Sequence, residues 1–258
     1  MVQLSYSAQM PIGFAGLLAD CMFKDTNSGC AFETIPFGVG VQYVKGTDFG
    51  YALPGTKSSI AIITGQYVTG NSSVTTYNGG ALAAVPFNTS HEQTVKDVVA
   101  QLKAQATVVD AYVADSAYTK IVVITNTAAT AAVASIVVTS GATQPTWAIT
   151  STTTNTFWGI AQYEPMAGAP VLDANADAMQ YLQGQTMNVL RKGRIYVEVE
   201  EAVAKGDPVY WRVTDNGAGK VRGQFRKSAD SATAVLISTA IYCTSAPAGG
   251  IAVIELNP

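Results

Sequence analysis

Apolar and polar positions alternate most clearly near the C-terminal end of the chain. Residues 194–200 alternate at period two, residues 204–208 (Ala-Lys-Gly-Asp-Pro) carry turn chemistry, and residues 209–213 resume extended structure. After a loop holding Asn216, Gly217 and Gly219, the β-rich run 234–243 and then residues 249–256 complete a series of short strands without a helical period. Short strands joined by tight turns describe a small barrel or sandwich.

The same texture appears earlier, in residues 35–44, a turn over 45–50 and residues 51–53, and again in 157–163. Between these flanks the chain becomes rich in Thr, Ser, Ala and Val. Residues 60–63 and 73–77 read as strands, and Asn78-Gly79-Gly80 marks a hairpin turn into a strand over 81–85. One helix is predicted: Ser90 caps it with Gln93 three residues on, and Val95, Val98, Val99 and Leu102 fall on one face. Residues 108–113, 121–125, 134–139 and 146–149 predict four further strands. Residues 58–155 thus have the size of an independent domain. They are expected to be inserted, at the Pro54-Gly55 turn, into a discontinuous domain made of residues 1–57 and 156–258.

Residues 10–20 are apolar but interrupted by Pro11, Gly13 and Gly16, which suits neither helix nor strand. Such an N-terminal arm, taken as residues 1–30, is expected to lie on its own domain or on a neighbouring subunit. Met10, Pro11, Ile12, Phe14, Leu17 and Leu18 are its candidate contact residues.

Composition narrows the function. Hydrophobic residues are 48% of the chain and charged residues 13%, so apolar surface in excess of one core predicts self-association, with a homotrimer expected. A net charge of -3 with scattered Lys and Arg argues against nucleic acid as a partner. No basic residue precedes Lys24 and no apolar run approaches membrane-spanning length, so neither a secretory signal nor a membrane partner is expected. Cys21, Cys30 and Cys243 lack metal-binding spacing and read as reduced core or loop residues.

Candidate chemistry is sparse. His91, the only histidine, reads as a solvated first-turn position rather than the centre of a triad. Residues 173–184 start like a calcium loop, but Ala178 and Gly184 occupy its sixth and twelfth positions, where glycine and glutamate are needed. Asn71 and Asn88 head glycosylation sequons that read as polar loops. Glu198 and Glu200 share one strand face and read as solvated surface, and the scattered aromatics read as core before sugar platform. No catalytic residue, cofactor or metal site is predicted.

Residues 11–20, 35–40, 158–161, 206–210 and 249–257, in that order, resemble the structural cement, or head-decoration, proteins of tailed bacteriophages. The resemblance covers roughly residues 1–57 and 155–258. It implies a non-enzymatic, commonly trimeric β protein on the outer capsid surface of the virion, made in the bacterial host cytoplasm. The major capsid protein would be its partner and the locking of neighbouring capsomers its role. The expected fold is mainly β: a small discontinuous β-barrel or sandwich, β-tulip-like, with an inserted α+β domain facing outward. A carbohydrate-binding or host-adhesion module is the alternative, with a host-surface glycan as a candidate ligand of the insert.

Overall fold

The computed structural model describes residues 13–19, 24–126, 133–152, 156–163, 180–216 and 219–257. Two compact units are present, one of residues 1–42 with 156–258 and one of residues 43–155. In chain order the elements are β1 (Asp25–Ala31), β2 (Ile35–Pro36), β3 (Gly40–Tyr43), β4 (Gly50–Ala52), β5 (Lys57–Thr64), β6 (Ser72–Tyr77), β7 (Gly80–Ala81) and β8 (Val85–Pro86). Helix α1 (His91–Lys103), β9 (Val108–Val113), β10 (Lys120–Thr125), β11 (Val133–Val138) and β12 (Thr146–Thr152) complete the second unit. The chain then returns to the first with β13 (Phe157–Gln162), β14 (Gln180–Tyr181), β15 (Thr186–Glu198), β16 (Pro208–Arg212), β17 (Phe225–Arg226), β18 (Ala234–Tyr242) and β19 (Ile251–Leu256). The fold is mainly β, as the strand periodicity predicts.

The first unit is organised on β15. Its first half pairs antiparallel with β1, from Asp25↔Lys192 to Cys30↔Thr186, and also with β13, which in turn pairs with β3. Its second half pairs with β19, from Gly193↔Leu256 to Glu198↔Ile251. From there β19 pairs with β18, β18 with β16 and β16 with β17. A parallel bridge from Phe225 back to Val199, with the Glu200 amide donating to the Phe225 carbonyl at 2.9 Å, closes this run of strands into a barrel. Alternation along β15 and β16 sends Ile195, Val197, Val209 and Trp211 inward, all fully buried, to meet Phe225, Ile254 and Leu256. Phe157 stands edge-on to Trp211 at 5.2 Å.

β1 carries no apolar period, and its sequence gives no sign of a strand. It forms because β15 presents a ladder edge and because polar side chains meet across it: Thr26 Oγ1 donates to Gln162 Oε1 at 3.1 Å and Ser28 Oγ to Asn188 Oδ1 at 2.5 Å. Residues 25–31 are therefore strand, and the irregular segment of the arm ends before them.

In the second unit β12, β5, β10 and β9 form one antiparallel sheet, while β11, β6 and β7, with β8 also on β6, form another. Helix α1 closes the core: Val95, Val98 and Leu102 are fully buried against a cluster that includes Ala61, Ile63, Ile121, Val123, Tyr77 and Ile136. Ser90, extended at φ -154°, accepts the Gln93 amide, which is the predicted cap. The strand predicted over 81–85 is instead split into β7 and β8. The Leu82 amide still donates to the Thr75 carbonyl of β6 at 2.8 Å, but residues 83 and 84 lie outside both strands, and the Ala83 carbonyl accepts from Gln101 Nε2 of the helix at 2.7 Å. The second unit runs from Tyr43 to Asn155, and a Cβ on Gly46 in its first loop would sit 2.8 Å from the Ile60 side chain.

Candidate functional site

Of the six arm residues singled out, Phe14, Leu17 and Leu18 are described; Met10, Pro11 and Ile12 lie outside the described residues. Residues 13–19 run beside β15 of their own unit. The Gly16 amide donates to the Tyr196 carbonyl at 2.8 Å, the Tyr196 amide to the Leu17 carbonyl at 2.9 Å and the Ala19 amide to the Arg194 carbonyl at 2.9 Å. Leu18 pairs with Ile195 and packs on the barrel core. Phe14 behaves differently: 37% exposed, it leans edge-on against Tyr163 at 4.9 Å. The described segment thus divides into an anchor, Leu18, and an outward aromatic, Phe14.

Further apolar side chains reach solvent on the barrel. Val235 and Leu236 of β18 are 42% and 48% exposed, and Tyr210 of β16 lies opposite Leu236 in the ladder.

Where β15 ends, the structure overturns the reading of Glu200 as solvated surface. Its side chain is 1% exposed and meets Arg212, whose side chain is wholly buried: Arg212 Nε donates to Glu200 Oε1 at 2.5 Å and Nη2 to Oε2 at 2.8 Å. Arg212 Nη2 also donates to Asp230 Oδ2 at 2.5 Å, and Nη1 to Thr233 Oγ1 at 3.0 Å and the Thr214 carbonyl at 3.3 Å, so all five guanidinium donors are used. Arg226 Nη1 bridges Glu200 at 3.1 Å and Asp230 at 2.7 Å, while its Nε and Nη2 hold the Ser228 carbonyl and hydroxyl, both at 2.8 Å. The Glu200 and Asp230 bonds hold the Arg212 guanidinium pKa well above its usual value, against its burial, and the hydrogen bond from Arg212 holds Asp230 below the ordinary carboxylate range. Each buried charge is paired and hydrogen-bonded, as burial demands. The sequence signal was a pair of arginines fourteen residues apart, Arg212 and Arg226, with nothing local to say that both reach Glu200.

Histidine chemistry is absent from this unit. His91 lies in the other one and is a structural tie: its Nδ1 accepts the Tyr67 amide at 3.1 Å, and its Nε2–H donates to the Tyr118 carbonyl at 3.2 Å. It is half-buried and stacks on Tyr67, rather than solvated as its position in the first turn suggests. Asn71, in the loop before β6, is not solvated either. At 2% exposure it accepts the Val68 amide and donates to the Ser140 and Thr143 carbonyls at 2.8 and 3.0 Å, which takes its amide away from any modification.

A depression of about 340 Å³ on the first unit is lined in part by Arg194, Lys205, Cys243 and Glu255. Glu255 accepts from Arg194 Nη2 at 3.1 Å and from Cys243 Sγ at 3.4 Å. Burial, then the neighbouring carboxylate, push the Cys243 thiol up, which keeps it from being the thiolate a nucleophile needs. The residues of the calcium-like loop lie outside the described residues, except Gln180 to Gly184. Among the described residues no cluster of three or more His, Cys, Asp or Glu is arranged to hold a metal ion, and no helix is long and apolar enough to cross a membrane. Phe37 meets Tyr163 and Tyr181 edge-on, at 5.3 and 4.8 Å, and the Arg191 guanidinium lies over the face of Trp158 at 4.2 Å.

A search of curated proteins returns no match. A solved structure titled "The capsid of Myoviridae Phage XM1" contains a chain similar to this one over 99% of its length and 97% of that chain, at 11% identity and a TM-score of 0.47. Residues 100–257 match the family model described as structural cement protein (E217 gp24/Pam3 gp6). With more than half of its length matched, the chain belongs to the phage structural cement protein family.

Proposed function

We propose that this protein binds the outside of an assembled phage head and stabilises contacts between neighbouring capsomers, without catalysis. Family membership over residues 100–257 is the observation that carries this reading. A ligand that binds only the assembled shell shifts the equilibrium away from dissociation, and many weak copies suffice when each assembly touches several capsomers. The first unit, with its exposed Phe14, Val235 and Leu236, is assigned to the major capsid protein, and the second, as an inserted domain, to the outward side. A homotrimer suits a 48% hydrophobic chain, and the site of action is the outer capsid surface of the virion, after synthesis in the host cytoplasm.

The experiment is to mix the purified protein with heads lacking it, sediment the heads, and heat both preparations. Co-sedimentation together with a higher temperature of head disruption is the expected result. Heads that neither bind the protein nor gain heat resistance overturn the reading.

A further inference from the structure

Asp230, Ser231 and Ala232 have φ of 46°, 55° and 70°. Three successive side-chain-bearing residues in this region are unusual, because Cβ crowds the backbone there and such residues enter it singly if at all. Something must hold the turn. Packing does not, since Ser231 and Ala232 are exposed. Asp230 does: its Oδ2 accepts from Arg212 at 2.5 Å and Arg226 at 2.7 Å, and its carbonyl accepts the Thr233 hydroxyl at 2.7 Å and the Thr233 amide at 3.1 Å. The Ala234 amide completes the turn by donating to Ala229 at 3.1 Å.

We propose that the Asp230–Ala232 turn is a conformational latch: a strained turn kept closed by one carboxylate on two buried arginines, which opens alone when that charge is lost, while the barrel stays closed. The two acids of the network are not equivalent. Glu200 is 1% exposed and grips Arg212 with both oxygens, whereas the Asp230 side chain is 35% exposed and is the member that water and protons reach. Removing the Asp230 charge leaves Arg212 and Arg226 on Glu200, with Glu201 3.5 Å from Arg226. The seam bond from the Glu200 amide to Phe225 is not part of the turn. The charged groups that act on Asp230 are Arg212 and Arg226, whereas Glu201, Glu200 and Asp207 act on the buried Tyr242 phenol, whose pKa burial and then these acids raise. Because Asp230 titrates below the usual carboxylate range in the folded state, the latch is closed at neutral pH and opens as pH falls through that lowered value. Opening frees the start of β18, where Val235 and Leu236 are exposed.

The test is amide hydrogen exchange on the full chain, comparing the wild type with Asp230→Asn and Ser231→Gly. In D230N the Thr233 and Ala234 amides should exchange about tenfold faster or more, with the Glu200 and Val199 amides unchanged. Glycine fits the positive φ without strain, so S231G should slow exchange in the turn. Acidifying the wild type should reproduce the D230N pattern, and this arm and S231G decide the matter if D230N does not fold. Unchanged protection of Thr233 and Ala234 on loss of the charge, simultaneous opening of Glu200, or faster exchange in S231G each overturn the latch.

Discussion

The backbones of Gly16 and Gly38 cross so closely that a Cβ on Gly16 would lie 2.9 Å from the Gly38 nitrogen, and one on Gly38 2.6 Å from the Gly16 nitrogen. Both have positive φ, 87° and 75°. The crossing ties the N-terminal segment to its own unit, with the Gly38 amide donating to Ala161 and the Tyr163 amide to Gly16, both at 2.8 Å. Gly16→Ala and Gly38→Ala should each cost about 1–3 kcal/mol, because the clash is with backbone that cannot give way. Gly184→Ala, at φ 84° with open space around it, is the control and should cost less. Urea unfolding of the three variants checks the order.

The arm should be divisible. Deleting residues 2–12 leaves Gly13–Ala19 on β15, so circular dichroism and the urea midpoint should stay near wild type while sedimentation with heads weakens. Deleting residues 2–18 also strips Leu18 from the barrel core and should destabilise the fold by about 2–5 kcal/mol. Equal stability of the two truncations would show that Leu18 anchors nothing.

Residues 43–155 should be removable as a unit. Gln42 and Phe157 face each other in the β3–β13 ladder, so a short Gly-Ser turn can join the strands where the segment leaves and returns. The expected product keeps its far-ultraviolet β signal and a cooperative melt; an unfolded chain would mean that the first unit does not stand alone.

Glu200→Gln should destabilise by about 3–5 kcal/mol, since it leaves the buried Arg212 guanidinium without its two-point counter-charge and takes one of two acids from Arg226. Arg212→Met should cost a similar amount alone. The double variant should cost clearly less than the sum of the two, because neither charge is then stranded. Strict additivity in denaturant titrations would show that the pair is not coupled.

His91→Phe keeps the stacking surface against Tyr67 but loses both hydrogen bonds, leaving the Tyr67 amide without its acceptor. The expected cost is about 1–3 kcal/mol, read as a lower melting temperature of the full chain.

The sequence by itself determined what depends on local period and local capping. The inward set Ile195, Val197 and Val199, the Ser90 cap and the Val95, Val98 and Leu102 face of α1 follow from spacing alone, because a strand or helix sorts its own side chains to one side. The family, too, was legible, and three of the short motifs it was read from, at 158–161, 206–210 and 249–257, fall within the matched residues 100–257. Tertiary structure decided everything that depends on which edges meet. β1 has no period of its own and exists because β15 offers it a ladder; Glu200 alternates like surface but is buried because Arg212, Arg226 and Asp230 close over it from later in the chain. Asn71 and His91, polar residues in polar stretches, became fixed ties only when the 140–143 loop and the Tyr67 and Tyr118 backbones arrived beside them. The reason is common to all four. A polar side chain is stable in water or in a complete set of hydrogen bonds, and only the assembled neighbours decide which of the two it finds.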